Sequence, residues 1–393
     1  MTTDASVREH HWDAARALLM LLGIPYHVAM AYRANQVWIV NAQEGDLLFT
    51  WMAAVIHLFR MPAFFVIAGY FAALLLMRRT PGAWLKNRII RLGLPFIAAL
   101  LTLNPLLNLL CELSNFKIWG ALGSWEKNSL QSGGYWVRHL WFIIVLLYLC
   151  ATAALLCRVA PRVGQASLSV RADAMMARNM PLALLGLGVM IGAWEAGAIE
   201  LFYVWGFATN LPQEILRIDQ LIQFAPWFAL GWLVCRAPQF RAALHRPSPL
   251  IALAGLAATL LYLQIGREVH PMTERFIGTI AAIAMTQMLL AAMKRLANQP
   301  NRAVQALVSG AFVIYLVHLP ITAGLVVLGQ QIAMPIMIKG ALVAALTFAL
   351  SWACWRIVRA SPTLRLLYDG VGPELPRLGD AAPALHPVRN SVP

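Results

Sequence analysis

The sequence predicts an all-α polytopic membrane protein with about ten transmembrane helices and both termini cytoplasmic. Three observations carry that prediction. The chain has 393 residues, 60% hydrophobic and only 12% charged, against about 25% charged residues in a soluble domain. Apolar runs of about 18 residues or more recur along it, long enough to cross ~30 Å of hydrocarbon. Lys and Arg collect in alternate connecting segments.

The spans are placed at 14–33, 48–77, 88–110, 137–157, 181–200, 218–236, 248–266, 274–293, 306–328 and 335–358. The stretch 201–217, "LFYVWGFATNLPQEILR", starts apolar but is broken by Asn210 and Pro212. It reads as an interfacial or re-entrant piece. No internal repeat is visible, so the usual sequence pointer to a transporter is missing. Residues 1–360 form one integral-membrane domain. Residues 361–393 hold six prolines and few large apolar side chains, the composition of a disordered tail.

An even number of spans puts both termini on one side. If that side is cytoplasmic, it collects 22 Lys and Arg against 8 on the other, with Arg60 left inside a span. That bias fixes the orientation. It also accounts for the formal net charge of +14 without nucleic acid as a partner; the partner is membrane lipid. The opening stretch lacks a compact basic region and a small-residue cleavage site, so the first span reads as an uncleaved anchor. A bacterial inner membrane fits this pattern. The five cysteines are scattered without metal-ligand spacing and read as packing residues. Neither a bound metal nor a permanently bound cofactor is expected.

Ionisable residues inside spans are expensive and mark function by default. The first span, "LLMLLGIPYHVAMAY", places His27 about 20 Å above its cytoplasmic start. Pro25 loosens the helix just below it. In "HLFRMPAFFVIAGYF" of the second span, His57 and Arg60 share a face at about 14 and 18 Å from the outer end. "IYLVHLP" of the ninth span brings Tyr315 and His318, also three residues apart. These groups fall in one central layer and can line one cavity. Each histidine has a bland alternative, a hydrogen bond to a neighbouring helix. Arg60 is harder to dismiss, because a buried guanidinium keeps its charge. It requires an anion or a wet cavity.

A second basic cluster, "RRTPGAWLKNRIIRLGLP", sets Arg88 and Arg91 three residues apart where the third span begins. One reading is topological anchoring. The other is phosphate binding by paired guanidinium groups. Arg16 lies three turns below His27 on the same side of its helix. Glu195 in "IGAWEAGAIE" is the remaining candidate for a buried carboxylate, with Glu200 one and a half turns on.

These residues resemble the acyltransferase-3 family of integral-membrane acyltransferases. Arg16 and His27 have the Arg-x10-His spacing of that family's first helix. Arg88-Ile-Ile-Arg91, followed by Pro95, is similar to its Arg-x-x-Arg element. "WDAARALLMLLGIPYH", "IHLFRMPAFFVIAGYF", "RHLWFIIVLLYL" and "IYLVHLPI" look like the branch that succinylates osmoregulated periplasmic glucans; a related branch moves acetyl groups onto other sugars. The resemblance covers about residues 10–370. Between 158 and 300 it holds only as a run of spans, and Glu195 and Glu200 match no motif.

The resemblance implies transfer of an acyl group from cytoplasmic acyl-CoA, succinyl-CoA or acetyl-CoA, to hydroxyls of a periplasmic glucan. His27 would be the general base, with Arg60 or His57 stabilising the oxyanion. Arg88 and Arg91, with Arg16 as helper, would hold CoA phosphates. His318 and Tyr315 are expected on the substrate, and so is Glu195, on its place as a buried carboxylate and not on the resemblance. The competing class is a transporter or flippase whose His and Arg line a polar path.

Overall fold

The computed structural model describes residues 9–34, 38–40, 42–131, 136–204, 215–265 and 268–372. Among the described residues the regular secondary structure is helical, apart from one isolated bridge between Arg33 and Asp46. We label the spans α1 His10–Ala31, α2 Leu47–Leu76, α3 Pro81–Leu113, α4 Arg138–Val159, α5 Met180–Val204, α6 Ile218–Cys235, α7 Pro249–Ile265, α8 Pro271–Leu296, α9 Arg302–Gly329 and α10 Ile336–Ala360. A final short helix, α11, covers Pro362–Asp369. Nine of the spans are individually long and apolar enough to cross a membrane. The tenth, α7, joins the helix Pro238–Leu244 at a 69° bend. The chain is therefore an all-α, multi-pass membrane protein.

Prolines shape the interior of this bundle. A proline lacks the N–H that would bond the carbonyl four residues earlier, and in a membrane that carbonyl needs another donor. Pro226 in α6 frees the carbonyl of Ile222, which accepts from Trp194 Nε1 of α5 at 2.8 Å. Pro320 in α9 frees the carbonyl of Leu316, which accepts from His139 Nε2 of α4 at 3.4 Å. Pro25 follows a break in α1 at Leu22. Pro95 follows the π-helical turn Ile89–Gly93 inside α3.

The most buried spans are α2 and α9; α10 is among the least. The α2–α6 crossing is held by two glycines. A Cβ on Gly69 would fall 1.9 Å from the Phe228 carbonyl oxygen, and one on Gly231 would fall 1.8 Å from that of Val66. Small residues of this kind let backbones touch where no apolar driving force separates helix from lipid. On its other side α2 packs against α1, and α1 packs against α9. The polar centre of the molecule lies where α1, α2, α4 and α9 meet.

Three parts differ from the sequence expectation. The third span starts at Pro81 rather than 88, because Pro81 opens a helical turn and buries Trp84 against the bundle. The connection between α3 and α4 contains a helix, Ile118–Gln131. It is pinned by Trp125 Nε1 donating to the Pro105 carbonyl at 3.1 Å, and by Ser124 and Asn128 donating to Glu112. The segment from 361 does not begin as an unfolded tail. Helix α11 is capped by Ser361, bonds Thr102 of α3 through Tyr368 at 2.9 Å, and ends at Gly370 in the left-handed region. Its short apolar face finds partners on α3 and α10. Residues 373–393 lie outside the described residues. So do 205–214, which hold most of the stretch expected to be interfacial; residues 201–204 continue α5.

Candidate active site

Four spans bring their ionisable residues into one layer. Gly23 starts the process. It lies one turn before His27, and a Cβ there would fall 2.9 Å from Arg60 Nη1 and 3.0 Å from His318 Nε2. Only a bare backbone lets the α2 guanidinium and the α9 imidazole pass beside α1. His27 then faces His318, with ring centroids 5.1 Å apart, and Trp38 stacks on its other side at 5.4 Å and 13°. His139 of α4 closes the group, 5.8 Å from His318. Arg60 lies over the ring of Tyr26 at 4.6 Å, and Tyr26 shares a 3.3 Å hydrogen bond with His57 Nδ1. His27, Arg60, His139 and His318 are all buried.

The hydrogen bonds fix part of the chemistry. His318 Nδ1 sits 2.6 Å from the carbonyl of Tyr315, which can only accept, so the neutral ring carries its proton on Nδ1. Nε2 then presents a lone pair beside Arg60. His139 donates from Nε2 to Leu316, so its Nδ1 is the acceptor. Yet His27 Nδ1, Arg60 Nε, His139 Nδ1 and His318 Nε2 are buried with no hydrogen-bond partner among the described residues. A buried polar atom without a partner costs ~1–3 kcal/mol, so four in one layer call for a ligand that supplies polar atoms. No described carboxylate pairs with Arg60.

His139 escaped the sequence reading, although it stands in "RHLWFIIVLLYL". It begins the fourth span in a 3-10 turn, Arg138–Leu140, where apolar patterning gives no signal. Its placement is over-determined. The hydroxyl of Tyr315 donates to its carbonyl at 2.5 Å. Asn104 of α3 donates to the carbonyls of Trp136 and Val137. Arg138, held at φ +46°, donates from Nε to Asn108 Oδ1 at 2.8 Å. Asn104, Asn108 and Glu112 recur every four residues in "NPLLNLLCE", a polar stripe on one helix face that could have given the signal. Tyr315, expected on the substrate, has its hydroxyl committed to His139.

At the basic end of the bundle, Arg88 has Arg16, Arg91 and Arg79 as charged neighbours. Arg88 lies over the Trp84 ring at 5.5 Å, and Arg16 pairs with Asp13 at 3.2 Å while facing the Phe71 ring at 5.2 Å. Arg91 sits within the π-helical turn and is buried. The expected grouping of Arg16, Arg88 and Arg91 is thus present at one end of the molecule. His27 and Arg60 lie two to three turns further along α1 and α2. Such π turns often mark functional sites.

The family profile described as an acyltransferase domain, acyltransferase-3, matches residues 9–356. The chain belongs to the acyltransferase-3 family. It is a membrane acyltransferase. Among curated relatives it is similar to proteins named glucans biosynthesis protein C. It is 30% identical over 329 residues to that of Salmonella gallinarum (strain 287/91 / NCTC 13346), covering 82% of this chain and 84% of the relative. It is 29% identical over 323 residues to those of Shigella dysenteriae serotype 1 (strain Sd197) and Escherichia coli (strain K12), covering 80% of this chain and 82% of each relative. No solved structure matches the chain.

In this acyltransferase the two remaining carboxylates are held elsewhere. Glu195 of α5 accepts from Trp227 Nε1 of α6 at 2.5 Å, with Gln223 and Thr279 also on it. Glu200 pairs with Arg275 at 3.0 Å. Neither meets the histidine layer. Among the described residues no cluster of three or more His, Cys, Asp or Glu has the arrangement to hold a metal ion.

Proposed function

We propose that this protein transfers a succinyl group from cytoplasmic succinyl-CoA to hydroxyls of a periplasmic glucan, across a bacterial inner membrane. The observation that carries the reading is the layer of four buried nitrogens without partners among the described residues, where α1, α2, α4 and α9 meet, in a chain of acyltransferase family. The excess of Lys and Arg at the Arg88 end supports a cytoplasmic position for that end, where CoA is found. Arg88 and Arg91, with Arg16 beside them, bind the CoA phosphates in this account. The names of the relatives support a glucan as acceptor.

The reaction is R–CO–S-CoA plus R′–OH giving R–CO–O–R′ plus CoA-SH. A sugar hydroxyl is a weak nucleophile and needs a base as its oxygen bonds to the thioester carbon. His27 takes the hydroxyl proton. The carbonyl electron pair moves onto oxygen, then returns as the C–S bond breaks. The departing thiolate takes the proton back. Arg60 faces the negative charge on that oxygen in a site with little water to compete. The lone pair of His318 Nε2 beside Arg60 favours a second assignment, in which His318 accepts the proton and His27 orients the hydroxyl. Among the described residues no carboxylate pairs with Arg60, which favours succinyl over acetyl: the free carboxylate of a succinyl chain would supply one, with His57 in place of Arg60 at the oxyanion.

The test is mass spectrometry of glucan after incubation with purified protein and acyl-CoA. A gain of about 100 Da per group, the mass of an added succinyl from its formula, supports the proposal; about 42 Da assigns acetyl transfer. Movement of glucan without consumption of thioester would assign a transporter.

A further inference from the structure

A cleft of about 450 Å³ opens at the end of the bundle away from Arg88, between α1, α2, α7 and α8. Its volume lies within the usual range for small-molecule pockets, ~300–1,000 Å³. Tyr26, Arg33, Trp51, His57, Tyr262 and Glu274 line it. Tyr26 and His57 form the part that adjoins the reaction layer. The hydroxyl of Tyr26 meets His57 Nδ1 on one side, while its ring face carries the Arg60 guanidinium on the other. One aromatic ring therefore separates the cleft from the centre of the site.

The lining has a particular chemistry. Three aromatic rings stand beside one carboxylate, one guanidinium and one imidazole. Glu274 has no ion pair among the described residues. A cation and an anion on opposite spans suit a neutral ligand rich in both donors and acceptors, not a polyanion. A pyranose is such a ligand. Its C–H faces cover aromatic rings and its rim of hydroxyls meets charged side chains. A Trp near the end of a span also has an interfacial role facing lipid. Trp51 is 53% exposed, yet it shares the cleft wall with His57 and Glu274, a setting that lipid does not require.

We propose that this cleft is the acceptor subsite, binding an uncharged hexose unit of the glucan. Trp51 and Tyr262 give the stacking faces, and Arg33 and Glu274 bind hydroxyls. A hydroxyl lying over Tyr26 and His57 is then presented to the layer containing Arg60 and His27. This inference rests on the reading that the chain acylates a sugar hydroxyl.

The experiment compares wild type with Trp51→Ala, Trp51→Phe, Tyr262→Ala and Glu274→Gln. KM is measured separately for neutral glucan oligosaccharide and for succinyl-CoA. Binding of the same oligosaccharide without donor is followed by ligand-observed NMR. Trp51→Ala is expected to raise the oligosaccharide KM about 3–10-fold, the loss of one ring face, and to weaken its NMR signal. The KM for succinyl-CoA moves less than twofold. Trp51→Phe restores most of the difference. If wild type acylates the oligosaccharide and all variants keep its KM, the cleft assignment is overturned and the acyl-transfer reading stands. If wild type binds the oligosaccharide through Trp51 but forms no ester, the cleft stands and the acyl-transfer reading falls. Equal changes in both KM values would also overturn the proposal, because they would mark a structural effect.

Discussion

Two polar clusters are buried in this bundle at similar cost, and they are finished differently. Around Glu195, on α5, α6 and α8, the carboxylate is met by Trp227, Gln223 and Thr279. Around His27, on α1, α2, α4 and α9, four nitrogens are left without a partner among the described residues. The first cluster satisfies itself and ties helices together. The second holds its polar atoms at a point where the protein does not consume them. Burial of an ionisable residue in a membrane protein therefore does not by itself mark a site; what distinguishes the second cluster is that four spans bring such atoms together in one layer.

The comparison can be broken by mutation. His27→Ala is expected to lower turnover about 10²–10⁴-fold, the usual loss with a general base, while thermal stability stays near wild type. Turnover near wild type would return His27 to packing. Gly23→Ala should follow, because its methyl falls on Arg60 Nη1 and His318 Nε2. A displacement of those groups should cost roughly 10–100-fold in turnover, with the folded protein retained on gel filtration. Glu195→Ala sharpens the contrast from the other side. It leaves Trp227 Nε1 unsatisfied, so the loss should appear as about 1–3 kcal/mol of stability. Turnover per folded molecule is expected to hold.

The smallest effect concerns the basic end. Burial pushes the Asp369 carboxyl up to about 6, against the opposing pull of Arg91 and Arg365. A raised carboxyl favours the neutral acid in the folded protein. Docking of α11 is therefore firmest in acid and weakens as pH climbs through about 6. The protection factor of residues 362–369, exchange divided by its intrinsic rate at each pH, should fall over that range in wild type and stay constant in Asp369→Asn. A protection factor that does not change with pH in wild type would contradict a role for half-buried Asp369 in this docking.

Much of this was legible in the residues. Ten spans followed from apolar length, and His27, His57, Arg60 and His318 followed from their cost within spans. Arg88 and Arg91 could be paired by spacing alone. The limits were physical. His139 sits in the first turn of its span, where an end residue and a site residue look alike. Gly23 is one glycine in an apolar run, and only the approach of two other helices reveals its purpose. Glu195 looked equivalent to the histidines because a sequence shows the cost of a buried charge but not the tryptophan that meets it. Helix α11 was hidden in a proline-rich segment, since one short amphipathic face gains its stability only from α3 and α10.

The central claim is that donor and acceptor enter from opposite ends and meet at the histidine layer. Purified protein in sealed vesicles tests it, once molecules have been sorted by which end faces out. Succinyl-CoA is supplied only on the Arg88 side and neutral glucan only on the other. The account predicts glucan ester and free CoA, each on the side where its parent substrate was added, and none of either with His27→Ala. Ester formed only when both substrates share one side would contradict it.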